Sequence, residues 1–191
     1  MKPVFTGNKF DRTLAELQQY ILSCILTAGN RAEFAEQKVN EITADVPNGT
    51  LPCEFLMDKG DLEVYLRSRR TGKYRYLARA IERISQLDLK NATDVELRSI
   101  PGVSFKTSRI FMLRSRYNVS HAAIDTHTLK FLRENGVADV SDTPPTSECD
   151  YLKLEAELLR LLSEKYPTLT PAEADEKVWN SYRLKGGNPP T

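Results

Sequence analysis

The sequence predicts an all-α protein, on three observations. Nearly every patterned stretch repeats its apolar residues at i, i+3 and i+4, the period of one helix face. Capping residues such as Thr and Asp precede those stretches, and Gly or Pro follows them. No stretch alternates apolar and polar residues as a half-buried strand does, and no internal repeat is present.

In chain order, Thr13 to Leu26 reads as the first helix, with Leu14, Leu17, Ile21, Leu22 and Ile25 on one face and Gly29-Asn30 ending the run. Glu33 to Ile42 is the second. Pro47-Asn48-Gly49 and Pro52 mark a loop, and Phe55 to Leu66 holds one or two short helices. Lys73 to Leu87 is amphipathic through Leu77, Ala80, Ile81 and Ile84. Thr93 opens a short helix, with Glu96 three residues on in the capping-box pattern. Beyond Pro101-Gly102, Lys106 to Arg116 is helical, with Ile110, Leu113 and Tyr117 on one stripe. Asp125 to Glu134 follows, stopped by Gly136. Asp142 to Ser147, with Pro144-Pro145, reads as a polar linker. Leu152 to Lys165 and Pro171 to Leu184 complete the helices, and Gly186 to Thr191 reads as a flexible tail.

A chain of 191 residues is long enough to bury a core, as one domain or two intimate lobes. The net charge of +1 hides an uneven distribution. Arg67, Arg69, Arg70, Lys73, Arg75, Arg79 and Arg83 are opposed only by Glu82 over their span, and Arg98, Lys106, Arg109, Arg114 and Arg116 form a second cluster. Acidic residues gather after Asp139. A basic middle fits a protein with one face turned to phosphates. Cys24, Cys53 and Cys149 are odd in number and widely spaced, which argues against a disulfide framework or a cysteine-built metal site. No apolar run reaches membrane-spanning length, and Met1 to Asn8 has no signal-peptide core. A cytoplasmic protein is expected, associated with the nucleoid in a bacterium or archaeon and nuclear in a eukaryote.

The densest chemistry lies in Leu97 to Thr107 and Ala123 to His127. A Pro-Gly turn between two helices exposes the first N–H groups of the helix that follows, and these, with its positive end, suit a phosphate oxygen. Glycine lets the backbone approach closely. Lys106 stands just past this turn. A cation is electrostatically misplaced at a helix N-terminus, and a neutral amine there is a nucleophile able to attack a sugar C1′ and form a Schiff base. The residues alone also allow Lys106 to be a surface lysine contacting phosphate as a point charge. Asp125 suits an N-cap. Near Lys106 its carboxylate would also stabilise positive charge developing on a sugar as a base departs.

Together, Ile100-Pro101-Gly102-Val103-Ser104-Phe105-Lys106-Thr107-Ser108 and Ile124-Asp125-Thr126-His127, at their spacing, resemble the helix-hairpin-helix DNA glycosylase superfamily, which includes endonuclease III and the 8-oxoguanine glycosylases. The resemblance spans about Leu14 to Asn135. It implies a two-lobed helical fold, with residues 22–120 forming the lobe that holds the hairpin, residues 1–21 plus 121–185 the other, and 186–191 a tail. It implies that Lys106 is the catalytic lysine of bifunctional members and Asp125 the shared catalytic aspartate. Pro101, Gly102, Val103, Ser104 and Thr107 would then bind the DNA backbone. Gly29 and Asn30 would lie at the gap left by a flipped base, and Gly72 to Ala80, with Lys73 and Tyr74, resembles a further DNA-contacting helix start. Trp179 and Tyr182 are candidates to stack the flipped base, although aromatic residues of a last helix more often pack in the core.

Three departures stand out. Ser104 replaces the second hairpin glycine. The four-cysteine iron–sulfur motif of endonuclease III is absent, so neither a cluster nor another cofactor or metal is expected. The segment after Asn135 carries no motif by which the sequence alone ties it to a relative.

The function implied is a bifunctional glycosylase and abasic-site lyase acting in base excision repair, with 8-oxoguanine the favoured base and a thymine glycol-type pyrimidine next. The alternatives are a non-catalytic module that binds damaged DNA, and a monofunctional glycosylase that uses Asp125 with water. The expected partner is double-stranded DNA containing a damaged base or an abasic site. No membrane is involved, and a monomer is expected.

Overall fold

The computed structural model describes residues 8–186. The described residues form ten helices: α1 (Leu14–Thr27), α2 (Ala32–Thr43), α3 (Pro52–Met57), α4 (Leu62–Ser68), α5 (Tyr74–Ser85), α6 (Asp94–Arg98), α7 (Phe105–Ser115), α8 (Thr126–Glu134), α9 (Glu148–Lys165) and α10 (Pro171–Gly186). There is no strand among them, as the periodicity predicts. None of these helices is long and apolar enough to cross a membrane. The chain divides into two compact units, the first ending at Arg116 and the second beginning at Tyr117.

The first unit is built round α1. Its residues Leu17, Ile21, Leu22, Ile25 and Leu26 are buried, and it packs against α2, α3, α5 and α7. A stripe this wide buries roughly 1.5–3 kcal/mol of transfer free energy per large side chain. Tyr20 stacks on Phe111 of α7 with ring centroids 5.7 Å apart, and the Arg12 guanidinium lies 4.4 Å from the Tyr20 centroid. Gln18, a buried polar side chain on the same helix, is satisfied by α3, where its Oε1 accepts from the Cys53 amide at 2.8 Å. That bond engages one of the first-turn donors for which α3 has no partner of its own.

α1 starts at a capping box. The Thr13 hydroxyl accepts from the Glu16 amide at 3.3 Å, and the Glu16 carboxylate accepts from the Thr13 amide at 2.7 Å. The same reciprocal pair occurs at Thr93 and Glu96, as the sequence predicts, and again at Thr170 and Glu173. Pro52, expected to mark a loop, instead opens α3 as its first residue, where its missing N–H costs nothing. The stretch expected to hold one or two short helices holds α3 and α4, split at Gly60, whose φ is +71°. α9 begins at Glu148, four residues earlier than the periodicity indicates, because Ser147 caps it by accepting from the Asp150 amide at 3.4 Å.

The second unit consists of α8, α9 and α10. Leu129 and Leu132 of α8, Tyr151, Leu158 and Leu162 of α9, and Val178 of α10 form its buried centre. Gly186, expected to start a tail, is the last residue of α10; residues 187–191 lie outside the described residues, as do those before Asn8.

Candidate active site

The hairpin lies between α6 and α7. Ile100 to Val103 forms a tight turn closed by a 3.0 Å hydrogen bond from the Val103 amide to the Ile100 carbonyl. Gly102 occupies its third position with φ +88°, the left-handed conformation that this turn requires. A methyl group there would also lie 3.2 Å from Ile25 Cγ2 and 3.8 Å from Tyr76 Cδ1. The serine in place of the second hairpin glycine is accommodated because Ser104 is extended, with φ −89°, and needs no left-handed backbone. Its hydroxyl accepts from the Thr107 amide at 3.3 Å and lies 3.1 Å from the Thr107 hydroxyl, so Ser104 caps α7. Among the described residues, no acceptor faces the amides of Gly102, Ser104 and Lys106. Pro101 is half-buried, while Val103 and Thr107 are buried beneath the turn.

Lys106 is the second residue of α7 and is exposed. The geometry that holds it is set one turn further on. Arg109, only 3 % exposed, pairs with Asp94 of α6 at 2.6 Å, and Asp94 also pairs with Arg98 at 2.8 Å and accepts from the Ser108 hydroxyl at 2.5 Å. Burial on its own would raise the Asp94 carboxyl, but the Ser108 hydrogen bond and the Arg98 and Arg109 charges outweigh it and hold the group below its ordinary value. Within the second basic cluster, Arg109 is therefore internal, and Arg98, Arg114 and Arg116 are half-buried. The Arg98 guanidinium also lies 4.1 Å from the centroid of the Phe105 ring, immediately before Lys106. Arg116 donates to the Leu89 carbonyl at 3.1 Å, and burial pulls its guanidinium below the usual value.

The loop after α1 and the start of α5 meet. The Lys73 ammonium donates to the carbonyls of Ile25, at 3.3 Å, and of Ala28. Asn30 folds back, its side-chain amide donating to the Leu26 carbonyl at 2.8 Å. The negative end of α1 has no basic residue in its own last turn and takes this cation from another element. The position of the lysine rests on unusual backbone: Arg70, Gly72 and Lys73 all have positive φ, of 51°, 70° and 50°. Tyr74 is half-buried under the Arg67 guanidinium, 4.6 Å from its ring centroid. Gly29 is exposed, with φ +80° and nothing within 4 Å of where a Cβ would sit. The structure thus brings Lys73 and Gly102 to Ile25, on the last turn of α1 that leads into Gly29 and Asn30. Tyr76, which the sequence did not single out, stands beside them with 60 % of its surface exposed. Its aromatic ring at i+2 from Tyr74 was the available signal.

In the second unit, Asp125 caps α8 and is 6 % exposed. Its Oδ1 accepts from the amides of His127 and Thr128, both at 2.9 Å. The Asp125 amide donates to the Thr128 hydroxyl at 2.7 Å. Among the described residues the cap bonds to the carboxylate end on Oδ1, so Oδ2 is not used by the cap. The chain entering the cap is held by α9: the Ala122 amide donates to Glu155 Oε1 at 3.0 Å, and the Ile124 amide to the Tyr151 hydroxyl at 3.0 Å. Sequence reasoning missed both α9 residues. A glutamate inside the buried stripe Tyr151, Leu158, Leu162 was the sign that could have been read. Trp179 is half-buried and meets His127 edge-on, with centroids 6.0 Å apart. Tyr182 is buried against Phe131, and its hydroxyl donates to Glu134; burial and that carboxylate push the phenol up to about 12.

No family model and no curated protein matches this chain by sequence. Solved structures do. One is the 8-oxoguanine glycosylase/lyase of Methanocaldococcus jannaschii in complex with a 15mer DNA containing 8-oxoguanine, 26% identical over 93% of this chain and 84% of that one, with a TM-score of 0.62. The 8-oxoguanine DNA glycosylase of Thermotoga maritima is 24% identical over 93% of this chain and 83% of its own, with a TM-score of 0.63. A second structure of the M. jannaschii glycosylase is 25% identical over 93% and 81%, with a TM-score of 0.62. This chain has their fold, and its structural neighbours are 8-oxoguanine DNA glycosylases.

Proposed function

We propose that this chain, which shares its fold with 8-oxoguanine DNA glycosylases, is a bifunctional DNA glycosylase and abasic-site lyase acting on 8-oxoguanine in double-stranded DNA. One observation carries the reading: an exposed amine, Lys106, stands on the first turn of α7, just past a glycine turn whose amides face no acceptor among the described residues. The turn suits a phosphate, and a phosphate held there would bring a sugar within reach of the amine.

In the reaction the neutral Lys106 amine attacks C1′ of an extruded nucleotide. The new C–N bond forms as the glycosidic bond breaks, and the base leaves with the electron pair and takes up a proton. The nitrogen lone pair then expels O4′ from C1′, O4′ takes up a proton, and the opened sugar is held as a protonated Schiff base. Loss of a C2′ proton then expels the 3′ phosphate and cuts the strand on that side. Asp125, through the oxygen its cap does not use, supports the positive charge on the sugar. Extruding the nucleotide costs a few kcal/mol, less for a lesion that pairs badly. Trp179, half-buried beside His127, is the candidate to stack the base; the buried Tyr182, bonded to Glu134, supports α8 instead.

Borohydride trapping tests this on duplexes carrying 8-oxoguanine, thymine glycol or an abasic site. The expected result is a covalent adduct with the wild type, strongest among the base lesions on 8-oxoguanine, and none with Lys106→Gln. A thymine glycol duplex trapped best would reassign the substrate to oxidised pyrimidines. Base release without any adduct would make the protein a monofunctional glycosylase, and binding with neither would make it a recognition module.

A further inference from the structure

We propose that Tyr151 and Glu155, one turn apart on α9, are positioning residues for the Asp125 carboxylate. The inference rests on the catalytic role assigned to Asp125 above. The segment Ala122–Ala123–Ile124 is buried and belongs to no helix, so its backbone polar groups need partners from elsewhere. Ala122 and Ile124 are two residues apart, and both of their amides donate to α9, one to the Glu155 carboxylate and one to the Tyr151 hydroxyl. The intervening Ala123 carbonyl accepts from the Thr128 hydroxyl at 3.1 Å. The segment is thus clamped by α9 and by the first turn of α8, and Asp125 is its next residue.

The clamp fixes what the cap leaves open. Bonds from His127 and Thr128 fix Oδ1 relative to α8. The direction from which the backbone enters α8 is set one residue and three residues before Asp125, by Tyr151 and Glu155. Glu155 is 4 % exposed, and His121 Nδ1 approaches its Oε1 to 3.5 Å at the start of the same segment. A buried carboxylate among Tyr151, Leu158 and Leu162 is costly unless its acceptors are engaged, and its position matches the amide it receives. Reactions that need a charge held within a fraction of an ångström lose rate steeply when that charge shifts.

The test uses the full chain in single-turnover base release from a saturating 8-oxoguanine duplex, beside duplex affinity and thermal melting. Tyr151→Phe keeps the ring and removes the hydroxyl. It is expected to slow base release about tenfold, with affinity unchanged within about twofold. Glu155→Gln keeps an oxygen that can accept from Ala122 and is expected to retain most of the rate, whereas Glu155→Met is expected to lose it. The decisive variant is the double one: Tyr151→Phe in an Asp125→Asn background is expected to be no slower than Asp125→Asn alone. Wild-type rate in Tyr151→Phe, with Asp125→Asn slow, overturns the positioning role alone. So does a double variant slowed by the full product of the two single effects. An Asp125→Asn protein at wild-type rate overturns the role of Asp125 and the positioning inference with it.

Discussion

Gly102 shows how much one missing side chain decides. Its φ of +88° is strained for any other residue, and a methyl would press on Ile25 at 3.2 Å. Gly102→Ala is expected to cost about 1–2 kcal/mol from the backbone alone, read as a lower urea midpoint, and to weaken binding to undamaged and damaged duplex alike. Asp125→Asn keeps an oxygen for the cap but loses the charge. It is expected to lower single-turnover base release by about 100-fold or more, with the melting temperature nearly kept. The turn before Lys106 and the cap at Asp125 were both legible in the sequence because each is a short local pattern. Lys73 was read in the sequence as part of a DNA-contacting helix start. Nothing local says that left-handed backbone would turn its ammonium onto the carbonyls of Ile25 and Ala28, since those acceptors lie more than forty residues away in the chain.

For the helices, packing faces could be read directly and ends less well. The Thr93–Glu96 capping box was readable, and the same signature at Thr13–Glu16, unnoticed in the sequence, works in the same way. Pro52 reads as a breaker because proline at the first helical residue and proline in a loop look alike without the helix behind it. What ties α6 to α7 was not legible, since Asp94 reads as an ordinary first-turn acid. Its folded carboxyl is held below its ordinary value, so the stability it confers is complete above the ordinary aspartate range, near pH 4, and is lost as pH falls through the lower folded value. Asp94→Asn is therefore expected to lower the melting temperature at pH 7 and to flatten the acid limb of the melting profile. Arg109→Ala, which leaves Asp94 with one cation fewer, is expected to cost roughly 3 kcal/mol in denaturant titration.

Across the whole molecule charge is sorted by unit. Residues up to Arg116 hold 19 Lys and Arg against 14 Asp and Glu, a net +5, and the rest hold 8 against 12, a net −4. This asymmetry was visible in the sequence, but which arginines face solvent was not. Arg67, Arg70, Arg75 and Arg79 are exposed, while Arg109 is internal. Arg79→Ala is expected to weaken binding to any duplex and to reduce the slope of log affinity against log salt by about 1, a measurement that separates phosphate contacts from packing. The second unit was the least readable part. The bonds from Tyr151 and Glu155 to the Asp125 segment cross from α9 to non-helical chain, and such contacts leave no period in a sequence.

Ile25 has a mechanical consequence. Its carbonyl takes the Lys73 ammonium that braces the loop at Ala28–Asn30, and its Cγ2 methyl abuts the hairpin at Gly102. One residue is thus a strut between two surfaces far apart along the chain. The link between loop and hairpin is therefore one residue wide, its carbonyl on one side and its methyl on the other.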